Sequence, residues 1–307
     1  MILSHSLTRR LAPRRRPLAR RPPWPPRPPR PPWPTAYALA DLAADLIYAT
    51  WRPGRRRIRD NLRVVLNTDD PSTLDDWGQR QLRRYAEYCL DALRLGRLTP
   101  ADCHAALEAD PADWDRVRAA AAQGPVIFAL LHQGNWDIAG GAFTHNVGPS
   151  TVLVESLGIA RLDRWIQRQR QHLGMRVVHD SDPRAAIRAL RDGGALGLLF
   201  DRPLPAHEPG PHRAGTDGTF CGAPCRLPTG LARLALSHHA RVIPMAVIRT
   251  DSRALRFRVE IGLDFNYAES GNRAADVQAL TQALLDWFET PVRRHPDQWY
   301  MFRRFFS

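Results

Sequence analysis

The chain has 307 residues and a formal net charge of +13, its basic side chains all arginine because lysine is absent. That length allows one large or two small domains with ample core, and the charge directs attention to nucleic acid, anionic membrane or phosphorylated substrates, which guanidinium forks grip bidentately. No stretch approaches the roughly 20 apolar residues that span a bilayer and no apolar h-region follows the N-terminal arginines, so neither a transmembrane helix nor a secretory signal is expected.

Residues 1–34 are a Pro/Arg-rich extension. Repeated proline removes backbone donors and favours polyproline II, so the segment cannot build a core. A single α/β domain is expected over 35–307. It opens at Thr35, which can cap a helix running through Tyr37, Leu39, Ala40, Ala43, Ala44 and Ile47. The arginines at 52, 55, 56, 57 and 59 follow. An amphipathic helix with an arginine cluster fits a membrane-surface anchor; it fits a helical hairpin capping a domain equally well.

Helical patterns occupy 74–95 and 112–122. Apolar, β-rich runs then appear at 126–131, 151–154, 176–178, 195–200, 242–248 and 255–261, with helical stretches at 161–172, 183–191 and 228–237 between them. Such alternation predicts an α/β fold with a mainly parallel sheet. Pro244 lies inside one of these strands, which requires a bulge or an edge there. A helix from 274 to about 288 and a basic aromatic tail from 295 close the chain; in that tail His295, Arg303 and Arg304 read as packing and surface charge and not as catalytic.

Cys89, Cys103, Cys221 and Cys225 do not form a disulfide framework in a chain of this size, and reduced thiols are expected. Cys221 and Cys225, with the adjacent His238 and His239, lack zinc-ligand spacing, so no metal site is expected.

The chemistry concentrates at His132-Gln133-Gly134-Asn135-Trp136-Asp137. The run before it reads as a buried strand and the run after it as a tightly packed helix. His132 then sits at a strand end and Asp137 in the first helical turn, where open α/β sheets bind ligands. The same spacing recurs at His212 and Asp217, but in a Pro/Gly-rich loop with no strand before it. A second buried strand ends at Asp201-Arg202, bringing a carboxylate and a guanidinium to the same sheet edge. Arg161, Arg164 and Arg168 recur at helical spacing; they suit a phosphate of coenzyme A or of a phosphoinositol, or simply a solvated face paired with Asp163.

The ordered set of 131–137, Phe200-Asp201-Arg202, 220–224 with Pro228-Thr229-Gly230, Val242-Ile243-Pro244 and 296–300 resembles the bacterial lipid A biosynthesis acyltransferases with their HX4D motif. Within that family it is most similar to actinobacterial phosphatidylinositol mannoside acyltransferases. The resemblance runs from about residue 35 to 306. It implies an αβα sandwich of glycerolipid-acyltransferase type, with a mixed, mainly parallel sheet, N-terminal helices and a groove for an acyl chain.

It further implies acyl transfer from a thioester, acyl-CoA or an acyl carrier protein, to a glycolipid hydroxyl, with no other cofactor. His132 would be the general base. Asp137 would hold its tautomer and stabilise the imidazolium. Asp217 falls where the mannoside acyltransferases carry an acidic residue near the catalytic His, here Asp in place of Glu after a longer loop. Gly134, Asn135 and Trp136, with the helix N-terminus, would offer backbone donors to the oxyanion. Arg202 is a second donor or a phosphate grip, and it precedes Pro203 where an acidic residue is usual. The expected setting is peripheral, on the anionic cytoplasmic face of the plasma membrane. A non-catalytic basic binding protein is the rival from another class, but no nucleic-acid motif accompanies the charge and nucleic acid is not expected as a partner.

Overall fold

The computed structural model describes residues 33–180, 182–192, 194–204, 215–267 and 269–306. The expected extension at 1–32 and His212 lie outside these residues; Trp33 and Pro34, assigned to that extension, already belong to a helix.

Nine strands are present among the described residues: β1 (Leu107–Glu108), β2 (Val126–Leu130), β3 (Thr151–Val154), β4 (Arg176–His179), β5 (Ala195–Leu199), β6 (Gly215–Phe220), β7 (Ala223–Pro228), β8 (Arg241–Arg249) and β9 (Phe257–Ile261). Seven form one sheet in the order β1-β9-β8-β2-β5-β3-β4, while β6 and β7 make a separate hairpin. Every pair in the large sheet is parallel except β8–β9. The fold is therefore the expected α/β type with a mixed, mostly parallel sheet and N-terminal helices.

Side-chain alternation divides the core. Along β2, Ile127 and Ala129 enter one apolar cluster, whereas Val126, Phe128 and Leu130 enter another on the opposite face. The first face is covered by α8 (Pro183–Arg191), α9 (Gly230–His238) and α10 (Arg273–Arg294). The second is covered by α4 (Pro100–Ala105), α5 (Pro111–Gln123), α6 (Trp136–Asn146) and α7 (Ala160–His172). Burial on both faces explains why the central strands read as uninterrupted apolar runs. Three helices start on one recurring device, an Asp cap followed by proline: Asp70, Asp110 and Asp182 each accept from a first-turn amide. Proline tolerates that position because its missing N–H would have been an orphan.

Thr35 lies inside the first helix, which already starts at Trp33, instead of capping it, and two further sequence expectations change. Pro228 ends β7 instead of opening a helix, which begins at Gly230. Pro244 sits in β8, an interior strand, yet meets the edge condition locally. The β8–β9 ladder starts only at Met245, so no β9 carbonyl stands opposite the missing N–H. The Pro244 carbonyl accepts from the Gly262 amide (2.9 Å).

The N-terminal helices α1 (Trp33–Thr50), α2 (Arg52–Leu66) and α3 (Pro71–Ala92) share their own small core around Ala44, Tyr48, Ile58, Leu62, Leu74 and Leu82. Only part of the apolar surface of α1 is used: Leu39, Leu42 and Leu46 are each more than 60% exposed. No helix among the described residues is long and apolar enough to cross a membrane.

Candidate active site

Strands β2 and β5 are register-matched neighbours, Leu130 opposite Leu199. Two residues beyond each matched position stand His132 and Asp201. The chain leaves β2 for one face of the sheet through α6. Beyond β5 it goes to the other face, where α9 packs. A crevice opens where such connections diverge. His132 Nδ1 lies 2.6 Å from Asp201 Oδ1, and the His132 backbone amide donates to Asp201 Oδ2 at 2.9 Å. Asp201 is buried, and Trp299 Nε1 donates to the same Oδ2 (2.9 Å). Burial alone pushes this carboxyl up. The His132 charge and the hydrogen bonds from the ring, the amide and the indole outweigh it and hold Asp201 below the ordinary carboxylate value. An ionised Asp201 accepts Nδ1–H, which places the lone pair of a neutral ring on Nε2.

The acid on the His132 ring is thus Asp201, and the expected contact from Asp137 is not made. Asp137 is the second residue of α6 and turns toward α3 and α7. Its Oδ1 accepts from Arg170 Nε (2.6 Å) and its Oδ2 from the Tyr88 hydroxyl (2.9 Å). Burial and Asp137 hold the Tyr88 phenol well above its usual range, so it stays a donor. Arg170 was missed among its neighbours. Its signal is the inward stripe Ile166, Arg170 and Leu173 at i, i+4 and i+7, opposite the exposed Arg161, Arg164 and Arg168. Arg164 stands on the solvent face of α7.

The loop between His132 and Asp137 is held from several sides. Gly134 has φ +60°, and a Cβ there would meet the Val247 carbonyl oxygen at 1.7 Å, so only glycine fits. Its N–H is spent on the Gln298 carbonyl (3.0 Å), which removes it from the expected oxyanion donors. Asn135 caps α6, accepting from the Ile138 amide, and its own amide reaches Asp91 Oδ2 at 2.9 Å. Asp91 also accepts from Arg249 and from Tyr37, while Glu87, one turn earlier on α3, accepts from Arg249 (3.2 Å) and Arg84 (3.0 Å). Trp136 and the His132 ring meet in a T-shaped contact, centroids 5.3 Å apart.

The tail also reaches the site, through residues other than His295, Arg303 and Arg304. Residues 298–300 bind the His132 loop: Gln298 accepts from Gly134, Trp299 bridges Gln133, and the Tyr300 amide donates to the His132 carbonyl (2.7 Å).

Arg202 Nε lies 3.4 Å from His132 Nε2, and its Nη1 pairs with Glu155 (2.5 Å), a carboxylate it shares with Arg303 (3.7 Å). Asp217 is not brought to the ring. It sits on the β6–β7 hairpin with its side chain 78% exposed and paired to Arg226 at 2.8 Å. Strand pairing with β7 turns it to a cross-strand partner, which its place in a linear motif did not show. No group of three or more His, Cys, Asp or Glu residues suited to a metal ion occurs among the described residues.

Beside the His132 loop, α6, α7 and the sheet enclose about 550 Å³ of empty space, counted with its open mouth. Phe128, Leu130, Phe143, Val152 and Leu199 make it apolar, while Trp136, Asp137 and Arg170 stand on its wall. Its apolar lining offers few polar partners to anything that enters it.

The family described as bacterial lipid A biosynthesis acyltransferase matches residues 32–307. A phosphatidylinositol mannoside acyltransferase of Mycolicibacterium smegmatis is 31% identical over 278 residues, covering 87% of this chain and 84% of the relative. One from Mycobacterium tuberculosis is 29% identical over 254 residues, covering 81% and 76%. A strand-end histidine on a buried carboxylate, an apolar cavity beside it and a match across the whole described domain lead to one conclusion: the chain is an acyltransferase of the bacterial lipid A biosynthesis acyltransferase family.

Proposed function

We propose that this enzyme transfers a long-chain acyl group from acyl-CoA to a mannose hydroxyl of a phosphatidylinositol mannoside, with His132 as general base. The observation that carries this reading is the His132–Asp201 pair, which holds Nδ1 and leaves Nε2 as the ring's acceptor, 3.4 Å from the Arg202 Nε donor, in a loop whose Trp136 and Asp137 line the apolar cavity. A sugar hydroxyl is a weak nucleophile until a base takes its proton. In this scheme Nε2 removes that proton as the hydroxyl oxygen bonds to the thioester carbonyl carbon. The tetrahedral intermediate collapses with loss of the C–S bond, and the imidazolium returns the proton to the leaving thiolate. Asp201 stabilises the imidazolium, the part a carboxylate plays in a Ser-His-Asp triad. Arg202 and the leading amides of α6 stand nearest to the developing oxyanion. Names of the mycobacterial relatives support the acceptor.

The same reading puts the enzyme on an anionic membrane surface. Exposed Leu39, Leu42 and Leu46 repeat at helical spacing on α1, and the exposed Arg52, Arg56 and Arg57 follow on α2. Apolar and basic groups together suit the interface of an anionic bilayer.

Incubation with long-chain acyl-CoA and phosphatidylinositol dimannoside, followed by mass spectrometry, tests the reaction. Wild-type enzyme should yield the acylated lipid and a folded His132→Ala variant should not. Product only with an acyl carrier protein thioester, or only on another glycolipid, would replace the donor or acceptor. Turnover retained in His132→Ala would overturn the base. For the membrane, Leu42→Asp/Leu46→Asp should lose co-sedimentation with phosphatidylinositol-containing vesicles; unchanged binding would refute the α1 face.

A further inference from the structure

The strap at residues 298–300 ends on a contact that bears directly on the proton transfer. Trp299 is fully buried, and its indole N–H points at the Asp201 oxygen that does not hold the His132 ring. That oxygen has two donors, the indole and the His132 amide, each at 2.9 Å. Two donors on Oδ2 fix the carboxylate plane and leave Oδ1 alone to face Nδ1. The indole is itself clamped. Phe220 and Phe305 make T-shaped contacts with it, centroids 5.6 and 4.9 Å away, and the Trp299 backbone carbonyl accepts from the Gln81 side chain of α3.

From this geometry we infer that Trp299 is a positioning residue for acyl transfer, acting through Asp201 to set the orientation and the charge that His132 meets. The inference rests on His132 as the base. A hydrogen bond to a charged group strengthens with burial, and a partner one shell out can tune a reactive side chain it never touches. Without the indole donor, more of the Asp201 charge falls on Nδ1–H, and the imidazolium is favoured over the neutral ring. Other charged groups around the ring stay in place: Arg202 at Nε2, with Glu155 and Arg303 behind it, and the Asp137–Arg170 pair on the α6 side. Tyr88 and Tyr300 pack around Trp136 and remain protonated phenols because burial holds them well above their usual range.

The test replaces Trp299 in the full-length enzyme by 3-benzothienylalanine, which keeps the fused ring and lacks the N–H. Trp299→Phe serves as a genetic version. Leu280→Ala is the packing control, since it opens a cavity in the same buried cluster at a residue outside the contacts that hold the indole and Asp201. Loss of the indole donor should lower kcat roughly tenfold, the scale of one hydrogen bond to a charged group. KM for acyl-CoA should be unchanged. The acid limb of the pH–rate profile should rise by roughly half a unit. Leu280→Ala should lower the melting temperature and leave the profile in place. A folded benzothienyl enzyme with wild-type kcat and profile overturns the inference, as does an equal shift in Leu280→Ala. His132→Ala separates the two levels. If it keeps turnover, the base assignment fails; if it is inactive while the benzothienyl enzyme is normal, only the role of Trp299 fails.

Discussion

Asp201→Asn changes one atom and should nearly abolish turnover. In the wild type, Oδ2 accepts from two fixed donors, the His132 amide and the Trp299 indole, both at 2.9 Å. An asparagine amide must put its oxygen there, because its NH2 group cannot accept. The NH2 then faces Nδ1 at the position where Oδ1 now lies 2.6 Å away. A donor at that point forces the ring proton onto Nε2, and the base loses its lone pair exactly where the hydroxyl must approach. Wrong-tautomer substitutions of this kind cost about 10⁴-fold in kcat in the Ser-His-Asp proteases, and the same order is expected here. Substrate binding should survive, since Asp201 is buried beneath the ring and does not line the cavity. The assay is acyl-CoA turnover by mass spectrometry, with circular dichroism to show that the variant is folded. A loss of less than tenfold would refute the assignment of Asp201 as the partner of His132.

Arg170→Met should unfold at lower denaturant, because it leaves the buried Asp137 with Tyr88 as its remaining partner; breaking a buried pair from one side costs about 3–5 kcal/mol, and an unchanged urea midpoint would contradict the pairing. Gly134→Ala should lose activity through displacement of the catalytic loop, since its Cβ cannot share space with the Val247 carbonyl and its φ is +60°; wild-type turnover would show that the loop is not held against β8. Burial, opposed by Arg84 and Arg249, raises the Glu87 carboxyl to about 7. Its folded-state value then exceeds its unfolded one, so the native state binds the extra proton and this contribution to stability falls as pH rises from about 4.5 to 7. Relative to Glu87→Gln, wild-type stability in urea titrations should decline across that window; a constant difference would mean that Glu87 does not bind its proton more tightly when folded.

Local pattern determined a good deal of this protein. The apolar runs that became β2, β5 and β8 are legible because strands covered on both faces cannot alternate. Asp-Pro and Thr-Pro pairs mark helix starts at 71, 100, 111 and 183, since the cap and the proline act within one turn. His132 at a strand end and the small residues after it needed only the sequence around them.

Which carboxylate serves that histidine was decided by the tertiary structure. Asp137 is five residues away in the chain, yet its place on α6 turns it to Arg170 and Tyr88. Asp201 is 69 residues away and becomes the nearest acid because β5 pairs beside β2 in matching register. Asp217 was drawn toward the site by its position in a motif and kept from it by cross-strand pairing with Arg226. The tail carries no local sign that Trp299 will reach Asp201, because that bond exists only once α10 has carried the chain back to the sheet edge. Sequence separation sets what periodicity and capping can reveal; the His132–Asp201 hydrogen bond is set by distance in space.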